Sequence, residues 1–463
     1  MAIIRDRVYL DEFGSPTIEL LKSCFKEHQN QIERFNKLKR YYDGDHDFIK
    51  NRKLSGKDLP NNKLVCNHAE YITDIATGYF MGNPVKYSGD SIKPMENVLK
   101  SCSLVDTELS RDISKYGIGY ELIYMSSDLK PIPKSTNIEP VNMFLVVDDT
   151  VEYKSMFAVH YYPKKKLDGT LEGYYVNVYT SDSIEKYLFK NLEDTSPQQL
   201  DIEVHYFGQV PVIEYWNKSN LKGDFEGVIS LIDAYDLLQS DRVNDKEQLV
   251  DSLLTVIGGS LGDDEEEITN TAKLIKRYKL LELPPGADAK WLIKQLVETE
   301  VEVLKKAIKD DIHEFSKVPC LTDENFASQS SGVAMKYKLF GLEQLAKTKE
   351  GYYRMGLLER LQIYANIYNI KGNNIDISDV TITMTRSLPV NEVELSTMVT
   401  NLEGTVSLET RLGLLPFVSD VDEEIKKVKK EKQEAYEQQQ KAFSAYNFNT
   451  SDEVDGDDKV NED

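Results

Sequence analysis

The 463-residue sequence has few of the groups that build stapled or metal-centred folds. Its four cysteines, Cys24, Cys66, Cys102 and Cys320, lie far apart and form no Cys-x-x-Cys pair, so neither a disulfide framework nor a zinc site is indicated. We expect reduced thiols in a protein made in a cytoplasm, and no cofactor. No apolar run approaches the roughly 18 residues of a membrane span, and the N-terminal segment lacks the apolar core of a signal peptide.

Basic residues are outnumbered. The chain has 56 Lys and Arg against 78 Asp and Glu, which leaves a formal net charge of −22. A protein that grips DNA over most of its surface needs the opposite balance, because phosphates are neutralised by Lys and Arg. The composition therefore argues against tight DNA binding. It is compatible with an acidic protein past which DNA slides without sticking.

The common nucleotide and metalloprotease motifs are missing. The only Gly-Lys pair, Gly56-Lys57, is followed by Asp58 and lacks the earlier glycine of a P-loop, which must wrap phosphates in backbone donors. His313-Glu314 lacks the second histidine of a His-Glu-x-x-His zinc motif. These absences exclude a P-loop ATPase and a zinc protease.

The acidic turn "DGDHD" offers an enzymatic alternative. Asp43, Asp45 and Asp47 stand at alternate positions and could hold a divalent cation for a nuclease or a calcium site. The twelfth position counted from Asp43 is Leu54, where a calcium loop carries glutamate. A solvated turn after a helix is the favoured interpretation, and a carboxylate–metal nuclease is the alternative.

The first half of the chain alternates between helix and strand signals. A helix is predicted at 16–42 with Pro16 as its first residue. A second begins at Asn67, which can cap it together with Glu70. Short β-branched and aromatic runs over 119–216 are typical of antiparallel strands, with "DGTLEG" at a hairpin tip.

The second half is dominated by long helices. Helices predicted at 225–254 and 297–318 bracket an insert that we read as strand, helix, strand and strand. Such a pair forms a stalk with a knob at its end. Another long helix is predicted up to about residue 369, with Gly341, Gly351 and Gly356 as places to bend, and 391–444 is again helical. The predicted fold class is α+β, predominantly helical.

The stretch "NFASQSSGVAMKYK" lies between two of these helices. It is small and polar in its first half and restarts a helix in its second half. By itself it is an ordinary surface connection.

Four further stretches, taken in order, point to a known family. They are "NKLVCNHAEYITDIATGYFMGNPVKYS", "LIDAYDLLQSDRVNDKEQLVDSLL", "SQSSGVAMKYKLFGLE", and "VTITMTRSLPVNEVE" followed by "VSLETRL". Together they resemble the portal proteins, or head-to-tail connectors, of tailed bacteriophages, of the type found in long-tailed phages of Gram-positive hosts. The resemblance covers about residues 41–424, and the glutamine- and lysine-rich segment with the acidic tail departs from it.

The resemblance implies a portal-type subunit with wing, stem, clip and crown. The expected ranges are 1–223 for the wing, 224–254 for a stem helix, 255–296 for the clip, 297–318 for a stem helix, 319–331 for a tunnel loop, 332–389 for a long helix and wing strand, 390–445 for the crown, and 446–463 for a disordered acidic tail.

The resemblance also assigns expected sites. The DNA-facing tunnel loop would use Asn325, Gln329, Ser330, Ser331, Lys336 and Lys338. The channel-lining stem would use Asp236, Asp241, Asp245 and Asp251, unless these form an exposed face paired to neighbouring subunits. The partner-docking clip would use Asp263, Asp264, Glu265, Glu266, Glu267, Lys276 and Arg277, although acids at a helix N-terminus also favour the helix itself.

The implied function is that of a non-enzymatic DNA gate. A dodecameric ring at one capsid vertex of the virion, assembled in the host cytoplasm, would pass double-stranded DNA during packaging and ejection. Its expected partners are the terminase large subunit, scaffolding and major capsid proteins, and a head-completion (adaptor) protein, with no membrane involved. A helical scaffold or adaptor without a DNA channel is the structural alternative.

Overall fold

A computed structural model describes residues 2–53, 60–250, 253–260, 262, 264–278, 285–292, 298–322, 332–387, 392–415, 418 and 421–450. The chain divides into two compact units, residues 1–387 and 388–463. The fold is α+β and predominantly helical, as predicted. Among the described residues, no helix is both long enough and apolar enough to cross a membrane.

The helices of the described chain vary from one turn to more than eight. They are α1 Ile18–Tyr42, α2 Asp47–Lys50, α3 His68–Met81, α4 Glu96–Ser101, α5 Ser103–Tyr116, α6 Ile229–Val250, α7 Glu265–Tyr278, α8 Glu298–Ser316, α9 Gly332–Lys338, α10 Phe340–Ile370, α11 Glu392–Asn401, α12 Leu408–Gly413 and α13 Val421–Thr450.

The strands of the described residues form four sheets. They are β1 Ile3–Arg5, β2 Lys86–Ser88, β3 Ile118–Met125, β4 Pro133–Ile138, β5 Met143–Asp148, β6 Ser155–Lys165, β7 Leu171–Tyr179, β8 Ser183–Phe189, β9 Gln198–Val204, β10 Val212–Trp216, β11 Leu253–Ile257, β12 Asp288–Leu292 and β13 Thr381–Thr383. The sheet orders are β1-β5-β6-β7-β8-β9, β10-β3-β4, β11-β12 and β13-β2. Only the β1–β5 pair is parallel among these.

Local sequence signals explain most of the early elements. The Asn67 side chain accepts a hydrogen bond from the Glu70 N–H at 3.2 Å and caps α3 as predicted. The predicted hairpin tip joins β6 to β7, and Gly169 adopts a φ of 84° there. The predicted start of α1 is wrong by two residues: Thr17 is the cap, and Pro16 lies before the helix in a bridge to Leu10.

Two apolar cores hold the first unit together. The smaller one packs α1 against one face of the six-stranded sheet, with Phe25 in edge contact with Phe144 and Tyr161. The larger one gathers α3, α5 and α10 around the β10-β3-β4 sheet. At Gly356 a Cβ atom would lie 2.4 Å from the Tyr215 ring, so this glycine allows α10 to pack against β10.

The long helices are more divided than the sequence predicts. The helix expected after the tunnel loop is two helices, α9 and α10, separated at Leu339, two residues before Gly341. Among the described residues of the second unit, three helices lie within the expected helical span 391–444. Ser407 caps α12 by accepting from the Thr410 N–H at 3.2 Å, which explains why a new helix starts there.

Candidate channel and docking segments

The predicted stem is a pair of long helices, α6 and α8. Each is shorter than predicted, because a 3-10 turn at Glu226–Val228 precedes α6 and the described part of α8 ends at Ser316. A salt bridge of 2.5 Å joins Arg242 of α6 to Glu302 of α8. The pair therefore has an ionic contact along its length as well as apolar packing.

A stretch of non-helical chain, residues 62–66, runs along α6, and we call it the strap. Its alternate backbone N–H groups donate to side chains spaced one turn apart on the helix. Asn62 N–H donates to Asn244 Oδ1 at 2.8 Å, Leu64 N–H to Ser240 Oγ at 2.9 Å, and Cys66 N–H to Asp236 Oδ1 at 2.7 Å.

The ladder depends on matched spacings. Eight residues of α6 rise about 12 Å, so the four residues from Asn62 to Cys66 must span about 3 Å each, which is close to a fully extended chain. These three hydrogen bonds are partly buried, and they give the strap's N–H groups the acceptors that a non-helical segment does not supply itself. The hydrogen-bond-accepting side chains repeated at 236, 240 and 244 could have indicated such a ladder. No pattern in the sequence identifies the segment whose N–H groups donate to them.

Asp236 is fully buried at the start of this ladder. Its Oδ2 lies 2.5 Å from His46 Nδ1, and His46 Nε2 faces the Tyr41 carbonyl at 3.1 Å. A carboxylate buried inside its own subunit cannot line a channel, so the prediction for Asp236 is wrong. The residue serves instead to join α6 to the strap and to the turn after α1.

The remaining predicted stem acids are placed differently. Asp241 is about half exposed and pairs with Arg52, and Asp245 is partly buried and has an interaction partner. Asp251 lies outside the described residues. A channel-lining role for these three stays a prediction.

His46 should make the stability of this junction depend on pH. Burial opposes its charge, but the hydrogen bond and charge of Asp236 outweigh burial, so the pKa of His46 is raised. Both ring nitrogens face acceptors, which the protonated ring alone can satisfy. A raised histidine pKa contributes stability that is complete below about pH 6.5 and is lost as the pH rises through the folded-state pKa.

We expect His46→Gln to remove this pH dependence. Urea unfolding midpoints measured from pH 6 to pH 9 should fall more in the wild type than in the variant. His205→Gln is the matched control, because burial lowers the pKa of His205 and its loss should not flatten the profile. Equal slopes for wild type and His46→Gln would show that His46 is not charged in the folded state.

The acidic turn gives the nuclease alternative no support from geometry. Asp45 pairs with Lys50 at 2.7 Å and Asp47 with Arg40 at 2.6 Å, while Asp43 ends α1. Within the described residues, no group of three or more His, Cys, Asp or Glu could hold a metal ion. Each of the two paired carboxylates therefore has a basic partner where a metal would have to bind.

Several hydrogen bonds hold the chain where it leaves α8 and enters the predicted tunnel loop. Lys317 adopts a φ of 62°, and His313 Nδ1 lies 2.8 Å from the Val318 carbonyl just beyond it. The Tyr71 hydroxyl of α3 accepts from the Leu321 N–H at 2.8 Å and donates to the Pro319 carbonyl at 3.3 Å. The chain therefore leaves α8 in one fixed direction.

The structure describes only two of the six residues that were predicted to contact DNA from the tunnel loop. Asn325, Gln329, Ser330 and Ser331 lie outside the described residues. Lys336 is exposed on α9, and Lys338 is partly buried and has an interaction partner. Their DNA-facing role stays a prediction.

Tyr71→Phe should loosen this entrance. Both hydrogen bonds disappear while the ring remains, so we expect faster amide hydrogen exchange at Leu321 with little change in global stability, about 1 kcal/mol at most. Tyr42→Phe removes a hydroxyl that donates to Asp74 instead and serves as the control. Unchanged exchange at Leu321 would show that Tyr71 does not hold the loop.

The predicted clip is an insert between α6 and α8. β11 and β12 pair in antiparallel order from Leu253↔Leu292 to Ile257↔Asp288, and α7 lies between them in the chain. The strand–helix–strand order agrees with the prediction, and the further strand expected around 279–284 lies outside the described residues.

Helix α7 is charged at both ends and apolar along one side. Asp264 accepts from the Glu267 N–H at 2.8 Å, and acids follow through the first turn, where the helix dipole favours them. Ile268 and Leu274 are about half exposed. Of the other predicted docking residues, Arg277 has an interaction partner, whereas Asp263 and the Lys276 side chain lie outside the described residues.

Sequence reasoning missed two buried ion-pair sites. Arg360 of α10 meets Asp106 of α5 and Glu121 of β3, each at 2.7 Å, and all three side chains are buried. Lys349 of α10 meets Asp224, which precedes α6. No spacing rule links residues so far apart in sequence, and a charged residue on a helix normally predicts an exposed face.

Comparison with known proteins shows which protein family the chain belongs to. The family described as "Phage portal protein, SPP1 Gp6-like" matches residues 21–438. The chain belongs to this portal protein family, as its sequence indicated.

Two curated relatives are both called portal proteins. That of Bacillus phage SPP1 is 23% identical over 490 residues, covering 98% of this chain and 92% of its own length. That of Clostridium phage phiCD119 is 22% identical over 438 residues, covering 88% and 95%. Among solved structures, a chain in the neck of a native GTA particle is similar at a TM-score of 0.40 and 12% identity, covering 75% of this chain and 89% of that chain.

Proposed function

We propose that copies of this chain form the ring through which double-stranded DNA enters and leaves a phage capsid at one vertex. The observation that carries the proposal is the family match over residues 21–438. In this proposal the ring is dodecameric in the virion, is assembled in the host cytoplasm, and performs no enzymatic chemistry. The energy for pumping comes from a separate packaging ATPase, the terminase.

Uncovered surface on the clip helix supports assembly from several copies. Ile268 and Leu274 of α7 are about half exposed, and apolar side chains of an amphipathic helix need a covering surface. The acidic start of α7 and Arg277 near its end give the helix opposite charges at its two ends. A neighbouring copy could cover the apolar side while pairing these charges, as a head-to-tail ring interface requires.

The DNA contact in this proposal is soft. Residues 319–331 would be the tunnel loop, in which Asn325, Gln329, Ser330 and Ser331 offer replaceable hydrogen bonds and no arginine traps a phosphate. Lys336 and Lys338 would add a weak attraction. Weak contacts repeated around a ring act together, so the loops could brace DNA without holding it.

The acids of the stem would complement this contact. Asp241, Asp245 and Asp251 would repel phosphates along the channel and lower friction. Asp236 is excluded by its burial.

Docking of partners is assigned to the clip. The acidic first turn of α7, with Asp263 and Asp264 before it, and Lys276 and Arg277 near its end would contact the terminase large subunit during packaging. The head-completion protein would bind there afterwards. Scaffolding and major capsid proteins would contact the ring as it nucleates head assembly, and residues 390–445 would form its crown.

End-on electron microscopy and mass photometry of the purified protein test the proposal. We expect a closed ring with a central opening wide enough for duplex DNA, and Gln329→Cys labelled with a small gold cluster should place the label at that opening. A monomer, or a disc without an opening, would overturn the channel. A label at the outer rim would overturn the assignment of the tunnel loop.

A further inference from the structure

The strand β9 forms one edge of the six-stranded sheet, and no strand of the described residues pairs with its outer side. It is seven residues long, and all seven are exposed. Proteins usually protect an open edge with a very short strand, a proline or lysines, because a row of unpaired N–H and C=O groups invites pairing with another chain. The sequence of β9, "QQLDIEV", has none of these three protections.

The hydrogen bonds to β8 show which backbone groups of β9 point outward. The His205 N–H, just beyond the last residue of β9, donates to the Asp182 carbonyl at 2.8 Å. Residues of an antiparallel pair exchange hydrogen bonds at alternate positions, so the N–H and C=O groups of Ile202 and Val204 point away from β8. The Ile202 N–H accordingly donates to the side chain of its neighbour Asp201 at 2.9 Å.

The side chains of β9 differ between the two faces of the sheet. Ile202 and Val204, each more than half exposed, lie on one face, and Asp201 and Glu203 lie on the other, because successive residues of a strand alternate. Both carboxylates meet Lys186 of β8, whose single charge does not balance two acids. The open edge therefore has an apolar row on one face and net negative charge on the other.

The charge of this edge selects the kind of strand that can pair with it. Residues 191–213 contain four acids and no lysine or arginine. A second copy of β9, paired antiparallel around Ile202, would set Asp201 of each copy against Glu203 of the other, and like charges directly opposite each other are destabilising. The edge therefore suits a basic strand and not its own copy.

We propose that β9 is a docking edge for an extended basic segment of another protein, which adds to the six-stranded sheet as a further strand. The segment alternates Lys or Arg with Val or Ile, and its backbone pairs with the outward N–H and C=O groups. Its basic side chains lie beside Asp201 and Glu203 on one face. Its apolar side chains cover Ile202 and Val204 on the other. This docking does not depend on the proposed DNA channel.

Binding of a fluorescent peptide, GKVKIKVG, to the full-length protein tests the docking. We expect fluorescence anisotropy to show binding below about 1 mM peptide. Hydrogen-exchange mass spectrometry should show slower amide exchange at residues 198–206 when the peptide is bound.

Two control peptides separate the contributions of charge and backbone. The peptide GEVEIEVG reverses the charge and keeps the apolar pattern. The fully N-methylated form of GKVKIKVG keeps its side chains and has no backbone donors. Both should bind at least about tenfold more weakly than GKVKIKVG.

Variants of the protein locate the docking on β9. D201K/E203K should weaken binding of GKVKIKVG by about tenfold or more. E96K/E152K makes the same change of charge at exposed acids that also pair with lysines, and it should leave binding unchanged. Ile202→Pro removes an outward N–H and leaves the hydrogen bonds to β8 in place, so it should abolish the protection of residues 198–206 while the urea unfolding midpoint stays close to that of the wild type.

Several results would overturn this proposal. No binding of GKVKIKVG at about 1 mM, equal binding of its N-methylated form, protection only at residues outside 198–206, or unchanged binding by D201K/E203K would each contradict strand addition at β9. Protection of residues 198–206 in the free protein that disappears on dilution would show that a second copy covers the edge, and the choice of a basic partner would then be wrong.

Discussion

Replacing Arg360 by methionine should destabilise the first unit by about 3–5 kcal/mol. The side chain is completely buried, and it is the cation that meets Asp106 and Glu121. Once the arginine is gone, Glu121 keeps the 2.7 Å hydrogen bond from the Tyr215 hydroxyl but has no cation beside it among the described residues. The carboxylates of Asp106 and Glu121 then stay buried with no cation to offset the free-energy cost of their desolvation.

Denaturant unfolding followed by circular dichroism measures this loss. Arg354→Met is the matched control on the same helix, because Arg354 is about two-fifths exposed and pairs with Glu350 one turn away. The control should cost no more than about 1 kcal/mol. Equal losses for the two variants would show that the buried cluster does not depend on its arginine.

The Arg360→Met deficit should shrink in mild acid. Burial raises the pKa of Asp106 to about 6 even though Arg360 opposes the shift, and without Arg360 the pKa rises further. A carboxyl group with a raised folded-state pKa favours folding below its unfolded-state pKa of about 4, and this contribution is lost as the pH rises through the folded-state value. The difference between variant and wild type should therefore be smaller at pH 5 than at pH 8.

Replacing Lys349 by methionine should have an effect of similar size. The Lys349 and Asp224 side chains are 1% and 0% exposed. Asp224 would keep hydrogen bonds from Ser114 Oγ at 2.5 Å and Asn217 Nδ2 at 2.9 Å. It would lose its charge partner, at a cost of about 3–5 kcal/mol.

A double variant separates the pair from its surroundings. Asn is nearly isosteric with Asp, so K349M/D224N should be at least about 1 kcal/mol more stable than the sum of the single losses predicts. Only two tryptophans are present, and Trp216 next to Asn217 reports local changes by fluorescence. Additive losses would mean that the two side chains do not interact energetically.

Much of the fold follows from local sequence signals. The cap at Asn67, the β-branched runs of 119–216 and the apolar spacing of the stem helices each depend on residues within a few positions of one another. The boundaries that failed depend on tertiary context. Pro16 is drawn into a bridge with Leu10, and the close packing of Gly356 against the Tyr215 ring has no signal in the local sequence.

The positions of the site residues were less predictable, because they too depend on tertiary context. Asp236 looks like an exposed acid because a carboxylate on an amphipathic helix usually faces solvent, and only the strap and His46, some 170 and 190 residues away in sequence, show it to be buried. Arg360 and Lys349 sit on a helix whose pattern contains no hint of distant carboxylates. Long-range pairing between charged side chains leaves no periodic trace in a single sequence.

The pairing of β11 with β12 at the base of the insert has a consequence for how this part of the chain can diverge in evolution. Leu253 and Leu292 are paired directly, so the insert departs from and returns to adjacent points just beyond α6 and before α8. A segment closed at its base can lengthen, shorten or be exchanged without altering the phase of either supporting helix. The insert could therefore be exchanged as a unit during evolution. Such an exchange would change what this end of the molecule binds while the rest of the subunit stays the same.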